Sequence, residues 1–211
     1  MSTGGQEIEA KFYVKDLKRI RKRLEGLGAL LVQERVLEAN IRFDLPGASL
    51  LAQGKVLRLR HDTAARLTYK SASEKKDGIL NREEIEFVVE DFDKARQLLE
   101  ALGYQKLIYY EKYRTTYELN ETRIMLDELP YGSFVEIEGD GSASIRLVAD
   151  LLELNWEATV AASYHALFDR VRRKKKVSIE ELSFASFAGI QVHADDLEVL
   201  AADRLCSGSL L

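Results

Sequence analysis

The stretch Glu7-Ile8-Glu9-Ala10-Lys11 alternates strictly between charged and apolar residues, and the interpretation of the whole chain begins from it. Side chains of a β-strand alternate between two faces, so Glu7, Glu9 and Lys11 would share one face and Ile8 and Ala10 the other. Two carboxylates two residues apart then lie roughly 7 Å apart, from a rise of about 3.3 Å per residue. This spacing allows both to hold one divalent cation, or two neighbouring ones. A half-exposed strand with its charges in water would have the same pattern.

Composition indicates a globular chain with many charges that nearly cancel. The 211 residues include 31 Lys and Arg and 35 Asp and Glu, giving a net charge of −4, and 46% of the residues are hydrophobic. This balance argues against a general binder of nucleic acid or membrane surfaces. No apolar run approaches the roughly 20 residues of a membrane span, and no signal peptide is evident. With the single cysteine Cys206, which excludes a disulfide framework, these features predict a cytoplasmic protein.

The pattern of the first strand returns later in the chain. Glu84-Ile85-Glu86 repeats the alternation of acidic and apolar residues, and residues 91–103 repeat the pattern of residues 16–28. Both of these segments begin with Asp, carry leucines at helical spacing and end in Leu-Gly, which predicts a helix in each. A long extended segment follows each helix. The sequence therefore predicts two strand–helix–strand–strand–strand halves, at about residues 5–78 and 79–140.

The remainder of the chain is predicted to be helical. Apolar residues have helical spacing in residues 142–154 and again in residues 157–176. A shorter amphipathic segment, residues 178–205, follows. We therefore divide the chain into a main domain of residues 1–176 and a C-terminal helical tail of residues 177–211.

Nearly every predicted strand has charged residues on one face and apolar residues on the other. The charged positions are Glu7, Glu9, Lys11, Arg58, Arg60, Lys70, Arg82, Glu84, Glu86, Lys112, Arg114, Arg123, Asp127, Glu136 and Glu138. An open sheet could leave these charges in water. A sheet that closes on itself would instead place them in a hydrated lumen, with helices covering the apolar exterior. Packed like charges repel unless counter-ions bind, so such a lumen would require both metal cations and a polyanion.

These residues, in this order, resemble the signature of the CYTH superfamily, the triphosphate tunnel metalloenzymes. The resemblance covers roughly residues 5 to 170, from Glu7-x-Glu9-x-Lys11 to Glu136-x-Glu138. This family includes class IV adenylyl cyclases, thiamine triphosphatases and inorganic triphosphatases. The resemblance implies an α+β fold: a closed eight-stranded antiparallel β-barrel, or tunnel, with a charged lumen, helices packed outside and a helical C-terminal region.

The resemblance also implies roles for individual residues, and Glu7, Glu9 and Lys11 would take part in catalysis. The residues that would bind the triphosphate are Lys11, Arg58, Arg60, Lys70, Arg82, Lys112 and Arg114. The residues that would hold Mg²⁺ or Mn²⁺ are Glu7, Glu9, Asp127, Glu136 and Glu138. Glu84 and Glu86 would either bind metal or orient basic residues. These roles suit the chemistry, because guanidinium groups match phosphate oxygens and carboxylates suit hard cations.

Three functions are compatible with this set of residues. Water attacking the terminal phosphorus would make the chain a triphosphatase acting on tripolyphosphate or a nucleoside triphosphate, which is the function that we expect. A ribose 3′-hydroxyl attacking the α-phosphorus of ATP would make it a cyclase that releases cyclic AMP and pyrophosphate. A non-catalytic polyphosphate-binding module is the third. Thiamine triphosphatases of this family have a tryptophan where this chain has Val56, which counts against thiamine triphosphate. We expect a small-molecule partner, no nucleic acid or membrane, and possible homodimers.

Overall fold

The structure is a computed structural model that describes the backbone of residues 5–76, 79–178 and 180–203. The side chains of the same residues are described except for residues 5–7 and 75–76, and Cys206 lies outside the described part. The strands are β1 (Gly5–Val14), β2 (Leu30–Asp44), β3 (Val56–His61), β4 (Ala65–Lys70), β5 (Glu74–Lys76), β6 (Ile79–Val89), β7 (Gln105–Leu119), β8 (Thr122–Leu129) and β9 (Gly132–Glu138). The helices are α1 (Leu17–Gly26), α2 (Ser49–Ala52), α3 (Phe92–Ala101), α4 (Ser142–Leu151), α5 (Tyr164–Lys175) and α6 (Ala194–Leu197), with a 3₁₀ turn at Trp156–Ala158.

Eight antiparallel strands form a ring. Their order is β1-β9-β8-β7-β2-β3-β4-β6, and β6 pairs with β1 from Gly5 opposite Glu84 to Glu9 opposite Leu80. The short strand β5 pairs with β6 outside this series. The expected set of eight antiparallel strands with helices around it is therefore present. None of the helices in the described residues is long and apolar enough to cross a membrane.

The two halves of the chain build their first helices in the same way. The carboxylate of Asp16 accepts a hydrogen bond from the backbone N–H of Arg19, and that of Asp91 accepts one from Lys94, both at 3.0 Å. Such N-caps satisfy backbone donors of the first helical turn. Both helices are followed by a glycine with positive φ, which side chains other than glycine rarely adopt. Helix α1 connects β1 to the long strand β2, and α3 connects β6 to the long strand β7. The two helices therefore occupy equivalent places in the two halves of the chain.

The apolar faces of the strands point outward, against the helices. Helices α1 and α4 cover β1, β8 and β9, and the fully buried side chains in this layer include Phe12, Leu24, Ile137 and Val148. Helix α3 covers β3 and β4, with Leu59 at the centre of a smaller cluster. Because strand side chains alternate, burying this outer face directs the charged residues into the ring.

A third apolar cluster lies at one end of the ring, around α5. Phe168 of α5 packs there with Tyr131, Phe134 and Leu182. The sequence predicts that this helix begins near residue 157. It begins instead at Tyr164, because the segment before it pairs with β1. The backbone N–H of Val160 donates to the carbonyl oxygen of Lys11 at 2.8 Å, which leaves no helical bond at that position.

The prediction of a helical C-terminal tail is wrong for the part that the structure describes, where α6 is the single helix after α5. The backbone of this segment bonds to the ring and not to itself. Leu182 exchanges backbone hydrogen bonds with Tyr109 and Glu111 of β7, and the N–H of Ala202 donates to the carbonyl oxygen of Tyr13 at 2.8 Å. The carboxylate of Asp203 accepts hydrogen bonds from two backbone N–H groups at the end of β1. Tertiary hydrogen bonds therefore replace the helical ones.

Candidate active site

The inward side chains surround one cavity of about 470 Å³. All of the predicted site residues line this cavity except Asp127, which is fully buried behind it, and Glu7, whose side chain is not described. The predicted residues on the lining are Glu9, Lys11, Arg58, Arg60, Lys70, Arg82, Glu84, Glu86, Lys112, Arg114, Glu136 and Glu138. These residues, which are far apart in the sequence, come from six of the eight ring strands and meet in one space.

Strand β1 places its charged residues beside those of β9. Glu9 is directly opposite Glu138, and Lys11 is directly opposite Glu136. The Nζ atom of Lys11 lies 3.1 Å from Oε1 of Glu136. Burial acts to lower the pKa of Lys11, but the carboxylates of Glu136 and Glu9 outweigh it and the pKa is raised. Lys11 is therefore a charged ammonium group inside the ring.

Asp127 is the centre of a tightly connected group of charges. Its carboxylate accepts hydrogen bonds from Lys112 at 2.9 Å, from Arg114 at 2.6 Å through both oxygens, and from the hydroxyl of Tyr164 at 2.8 Å. Arg114 also contacts Glu136. When charged groups are buried they lose their hydration, and direct contact with an opposite charge offsets this cost. The members of this Asp127 cluster are Lys11, Glu38, Lys112, Arg114, Asp127, Glu136 and Tyr164.

Glu38 belongs to this cluster and was not predicted from the sequence. It is 1% exposed, and its carboxylate lies 3.5 Å from Nζ of Lys112 and 3.6 Å from a guanidinium nitrogen of Arg60. Burial acts to raise the pKa of Glu38, but Lys112 and the neighbouring guanidinium groups lower it to about 2. A signal was present, because Glu38-x-Asn40-x-Arg42 alternates with apolar residues in the same way as the first strand does.

Tyr164 is the other member that sequence reasoning missed. It is the first residue of α5, and its ring centre lies 4.2 Å from Nζ of Lys11 and 5.3 Å from Nζ of Lys112. Cations attract the face of an aromatic ring, so Tyr164 contacts both lysines and Asp127 at once. Its helical spacing in the sequence indicates only an apolar face, and nothing local places it beside β1 and β7.

On the opposite side of the cavity, Glu84 and Glu86 contact basic residues. Glu86 lies 3.1 Å from Arg60 and 3.4 Å from Arg58, and it accepts a hydrogen bond from the hydroxyl of Thr68 at 2.7 Å. Glu84 lies 3.2 Å from Lys70. Of the two roles that the resemblance leaves open, orienting the basic residues is the one that these contacts favour.

The carboxylates of the cavity can be compared with what a metal ion requires. Among the described side chains, no three His, Cys, Asp or Glu residues lie close enough together to form a metal site. Glu9 and Glu138 face each other across β1 and β9, with Glu136 next on β9. Mg²⁺ commonly uses one or two carboxylates and completes its shell with water and phosphate oxygens. The Glu9–Glu138 pair therefore fits Mg²⁺ or Mn²⁺.

Comparison with known proteins adds to this geometry. The family model described as the CYTH domain matches residues 5–163 of the 211. The chain belongs to the CYTH family. A protein of Methanocaldococcus jannaschii, named as a candidate adenylate cyclase, is 27% identical over 154 residues, which are 70% of this CYTH chain and 86% of that protein.

Two solved structures share the CYTH fold of this chain. A candidate adenylate cyclase from Vibrio parahaemolyticus superposes with a TM-score of 0.69 at 22% identity, covering 79% of this chain and 99% of its own. A candidate adenylyl cyclase from Hippeastrum, described as having a dominant triphosphatase activity, superposes with a TM-score of 0.61 at 19% identity, covering 82% and 97%. Helix α5, which carries Tyr164, begins just after the residues that the CYTH model matches.

Proposed function

We propose that this CYTH protein is a metal-dependent triphosphatase that cleaves a phosphoanhydride bond of inorganic tripolyphosphate or of a nucleoside triphosphate. One observation carries the proposal: the seven predicted basic residues line a single cavity that also contains Glu9, Glu136 and Glu138. A cavity with many charges of both signs suits a polyanion bound together with a divalent cation. The family to which the chain belongs supports the same conclusion.

The basic residues would bind the phosphate oxygens. Arg58 and Arg60 project from the same face of β3, and Lys112 and Arg114 do so from β7. Guanidinium forks bind phosphate oxygens in pairs, and ammonium groups add point charge. At buried and half-buried positions of the cavity, these charges act more strongly than they would at the open surface. They would therefore both bind the substrate and stabilise the charge that develops during cleavage.

The residues that we assign to a Mg²⁺ or Mn²⁺ ion are Glu7, Glu9 and Glu138; Glu136 is left out because its two oxygens contact Lys11 and Arg114. When bound, such an ion would neutralise phosphate oxygens and polarise the bond to be broken. We leave Asp127 out of this set, because its two oxygens already accept hydrogen bonds from Lys112, Arg114 and Tyr164. Asp127 would act as a positioning residue for these cations.

In the reaction, the oxygen of a water molecule attacks the terminal phosphorus and forms the new P–O bond. The bond from that phosphorus to the bridging oxygen breaks, and the shorter phosphate chain leaves with the negative charge. The basic residues of the cavity would neutralise this charge. The attacking water loses a proton to the solvent, and the products are orthophosphate and the shortened chain.

Adenylyl cyclase activity is the second candidate, and the name of the Methanocaldococcus jannaschii relative favours it. In that reaction the 3′-hydroxyl of ATP attacks the α-phosphorus and pyrophosphate leaves. A nucleobase requires apolar surface, and the aliphatic side chains among the described residues of the lining are Val32, Val56 and Met125. This scarcity favours tripolyphosphate over a nucleotide as the substrate, and a cyclase requires a nucleotide.

A product assay tests the proposal. The protein is incubated with tripolyphosphate, ATP or thiamine triphosphate, each with Mg²⁺ or Mn²⁺, and orthophosphate, pyrophosphate and cyclic AMP are measured. We expect orthophosphate without cyclic AMP, and little turnover of thiamine triphosphate. Pyrophosphate together with cyclic AMP would replace the proposal with the cyclase, and binding without any product would indicate a polyphosphate-binding module.

A further inference from the structure

One buried cation of the cavity, Arg42, forms no ion pair with any described residue. Among the described residues, the buried cations are Lys11, Arg42, Lys70 and Lys112, and the three lysines all form ion pairs with carboxylates. Arg42 is 8% exposed and forms no ion pair within the described part of the chain. The nearby carboxylate of Asp44 instead accepts hydrogen bonds from three backbone N–H groups. Among the described residues, no carboxylate therefore forms an ion pair with Arg42, and Asp44 offsets its charge from a longer distance.

A second guanidinium group lies beside this charge. Arg42 on β2 is directly opposite Arg58 on β3, and like charges in that position repel each other. The Nε atoms of both arginines are buried and have no hydrogen-bond partner among the described protein atoms. Both side chains line the cavity. Two guanidinium groups thus border the same space, and of the two only Arg58 forms an ion pair with a described residue, Glu86.

Asn40 lies behind the cavity lining and is a further polar side chain without a hydrogen-bond partner among the described residues. Its side chain is 0% exposed, and neither its Nδ2 nor its Oδ1 atom has a hydrogen-bond partner among the described residues. Asn40 is directly opposite Tyr110 on β7 and lies on the same strand face as Arg42. A buried amide without hydrogen bonds is unfavourable unless a ligand or water supplies them. Asn40, Arg42, Arg58 and Tyr110 are called the Arg42 cluster below.

Helix α5 contributes to the same region. Its N-cap Ser163 and its first residues, Tyr164 and His165, line the cavity together with Arg42. The N-terminal end of a helix carries partial positive charge and favours anions. The helix therefore strengthens the preference of this region for a negatively charged group.

We propose that the Arg42 cluster is a binding subsite for an unsubstituted terminal phosphate group. The dianionic end of a phosphate chain would accept hydrogen bonds from the two guanidinium groups on the lining, and it would offset the repulsion between Arg42 and Arg58. This inference rests on the proposed function and narrows it. The cavity would recognise the free end of a phosphate chain, whether the other end is bare or carries a nucleoside.

Three ligands that differ in their free ends test this proposal. Tripolyphosphate has two unsubstituted ends, ATP has one, and diadenosine triphosphate has none. Binding is measured by titration calorimetry for the unaltered protein, for Arg42→Gln and for Arg35→Gln, in which an exposed arginine outside the cavity is changed. We expect Arg42→Gln to weaken tripolyphosphate and ATP at least about tenfold, the typical loss of charged hydrogen bonds. Diadenosine triphosphate should bind weakly to the unaltered protein and change less than about threefold.

The stability of the ligand-free protein provides the second measurement. Because Arg42 forms no ion pair with a described residue, Arg42→Gln should leave the thermal unfolding midpoint unchanged or raise it, although it weakens binding. A lower midpoint would overturn the proposal by showing that Arg42 is structural. Equal losses for all three ligands, or no loss for tripolyphosphate, would also overturn it. If the unaltered protein itself binds no tripolyphosphate, the proposed function fails; if it binds and Arg42→Gln binds equally well, only the subsite fails.

Discussion

The cavity contains two groups of buried charges that are balanced in different ways. In the Asp127 cluster every cation contacts a carboxylate, and Asp127 itself accepts four hydrogen bonds from three side chains. In the Arg42 cluster two guanidinium groups face each other, and a buried amide has no partner among the described residues. Both clusters occupy inward positions of the same ring. Burial alone therefore does not distinguish them, but the pairing of their charges does.

This difference separates a scaffold from a binding surface. A paired buried charge is costly to disturb, because removing one partner leaves the other unpaired in a low-dielectric environment. An unpaired one already destabilises the ligand-free protein and is relieved when a ligand arrives. The carboxylates of the Asp127 cluster should therefore contribute mainly to stability, by holding the phosphate-binding Lys112 and Arg114 in place, and Arg42 should contribute mainly to ligand affinity.

The largest expected effect is on the stability of the Asp127 cluster. Asp127→Asn removes the charge that Lys112 and Arg114 share, so the free energy of unfolding should fall by about 3–5 kcal/mol, the usual cost of breaking a buried pair. Urea denaturation measures this change. Glu128→Gln is the matched control, because it breaks an exposed pair with Arg35 and should cost less than about 1 kcal/mol. If the two variants lost the same free energy of unfolding, the Asp127 cluster would be no more important for stability than an exposed ion pair.

Glu38 should make the stability that the Asp127 cluster provides depend on pH. Its pKa of about 2 in the folded protein lies below its ordinary value of 4.5, so its stabilising effect is present above pH 4.5 and is lost as the pH falls towards 2. The shift corresponds to about 3 kcal/mol. Glu38→Gln should therefore lower the free energy of unfolding by about that amount at pH 7, and the difference from the unaltered protein should shrink below pH 4.5. A difference that persists unchanged at pH 3 would show that packing, and not charge, is responsible.

Carboxylates that belong to neither the Asp127 cluster nor the Arg42 cluster should affect turnover more than stability. Glu138→Gln and Glu9→Gln remove proposed metal ligands, so kcat should fall at least about 100-fold, because such an interaction supplies several kcal/mol to the transition state. The unfolding midpoint should change little in Glu138→Gln and fall more in Glu9→Gln, because the buried carboxylate of Glu9 lies 3.9 Å from Arg82. Orthophosphate release and thermal unfolding are measured on the same preparations. A variant that is unfolded, or one that retains full activity, would contradict the assignment.

A smaller effect should distinguish the hydroxyl of Tyr164 from its ring. Tyr164→Phe keeps the ring beside Lys11 and removes the hydrogen bond to Asp127, so kcat/KM should fall about tenfold while stability changes by about 1 kcal/mol. Tyr113→Phe, on the same strand as Lys112, is the control with unchanged activity. Loss of activity in proportion to unfolding would show that Tyr164 is only structural.

Much of the fold follows from local patterns in the sequence. Alternation in Glu7–Lys11 and its return in Glu84–Glu86 and Glu136–Glu138 correctly indicates strands whose charged faces point together. The caps at Asp16 and Asp91 mark the starts of the two equivalent helices within one residue. These features depend on neighbours in the chain, and such neighbours are visible in a sequence.

The features that were missed depend on distant partners. The backbone of residues 180–203 bonds to β1 and β7, which no periodicity within the segment reveals. The position of Tyr164 between Lys11 and Asp127 requires α5 to lie against the end of the ring. Which carboxylate pairs with which cation is likewise a property of strand order. The sequence indicated which residues are charged and inward, but not which of them remain unpaired.

The most direct test is thermal unfolding with increasing tripolyphosphate, comparing the unaltered protein with an Arg58→Gln/Arg60→Gln double variant. If the charges inside the ring bind the phosphate chain, the midpoint of the unaltered protein should rise with ligand concentration. The gain should be about 2.7 kcal/mol at 100 times the dissociation constant, and the double variant should lose most of it. No rise in the unaltered protein, an equal rise in the double variant, or the same rise with sulfate at equal ionic strength would contradict binding within the ring.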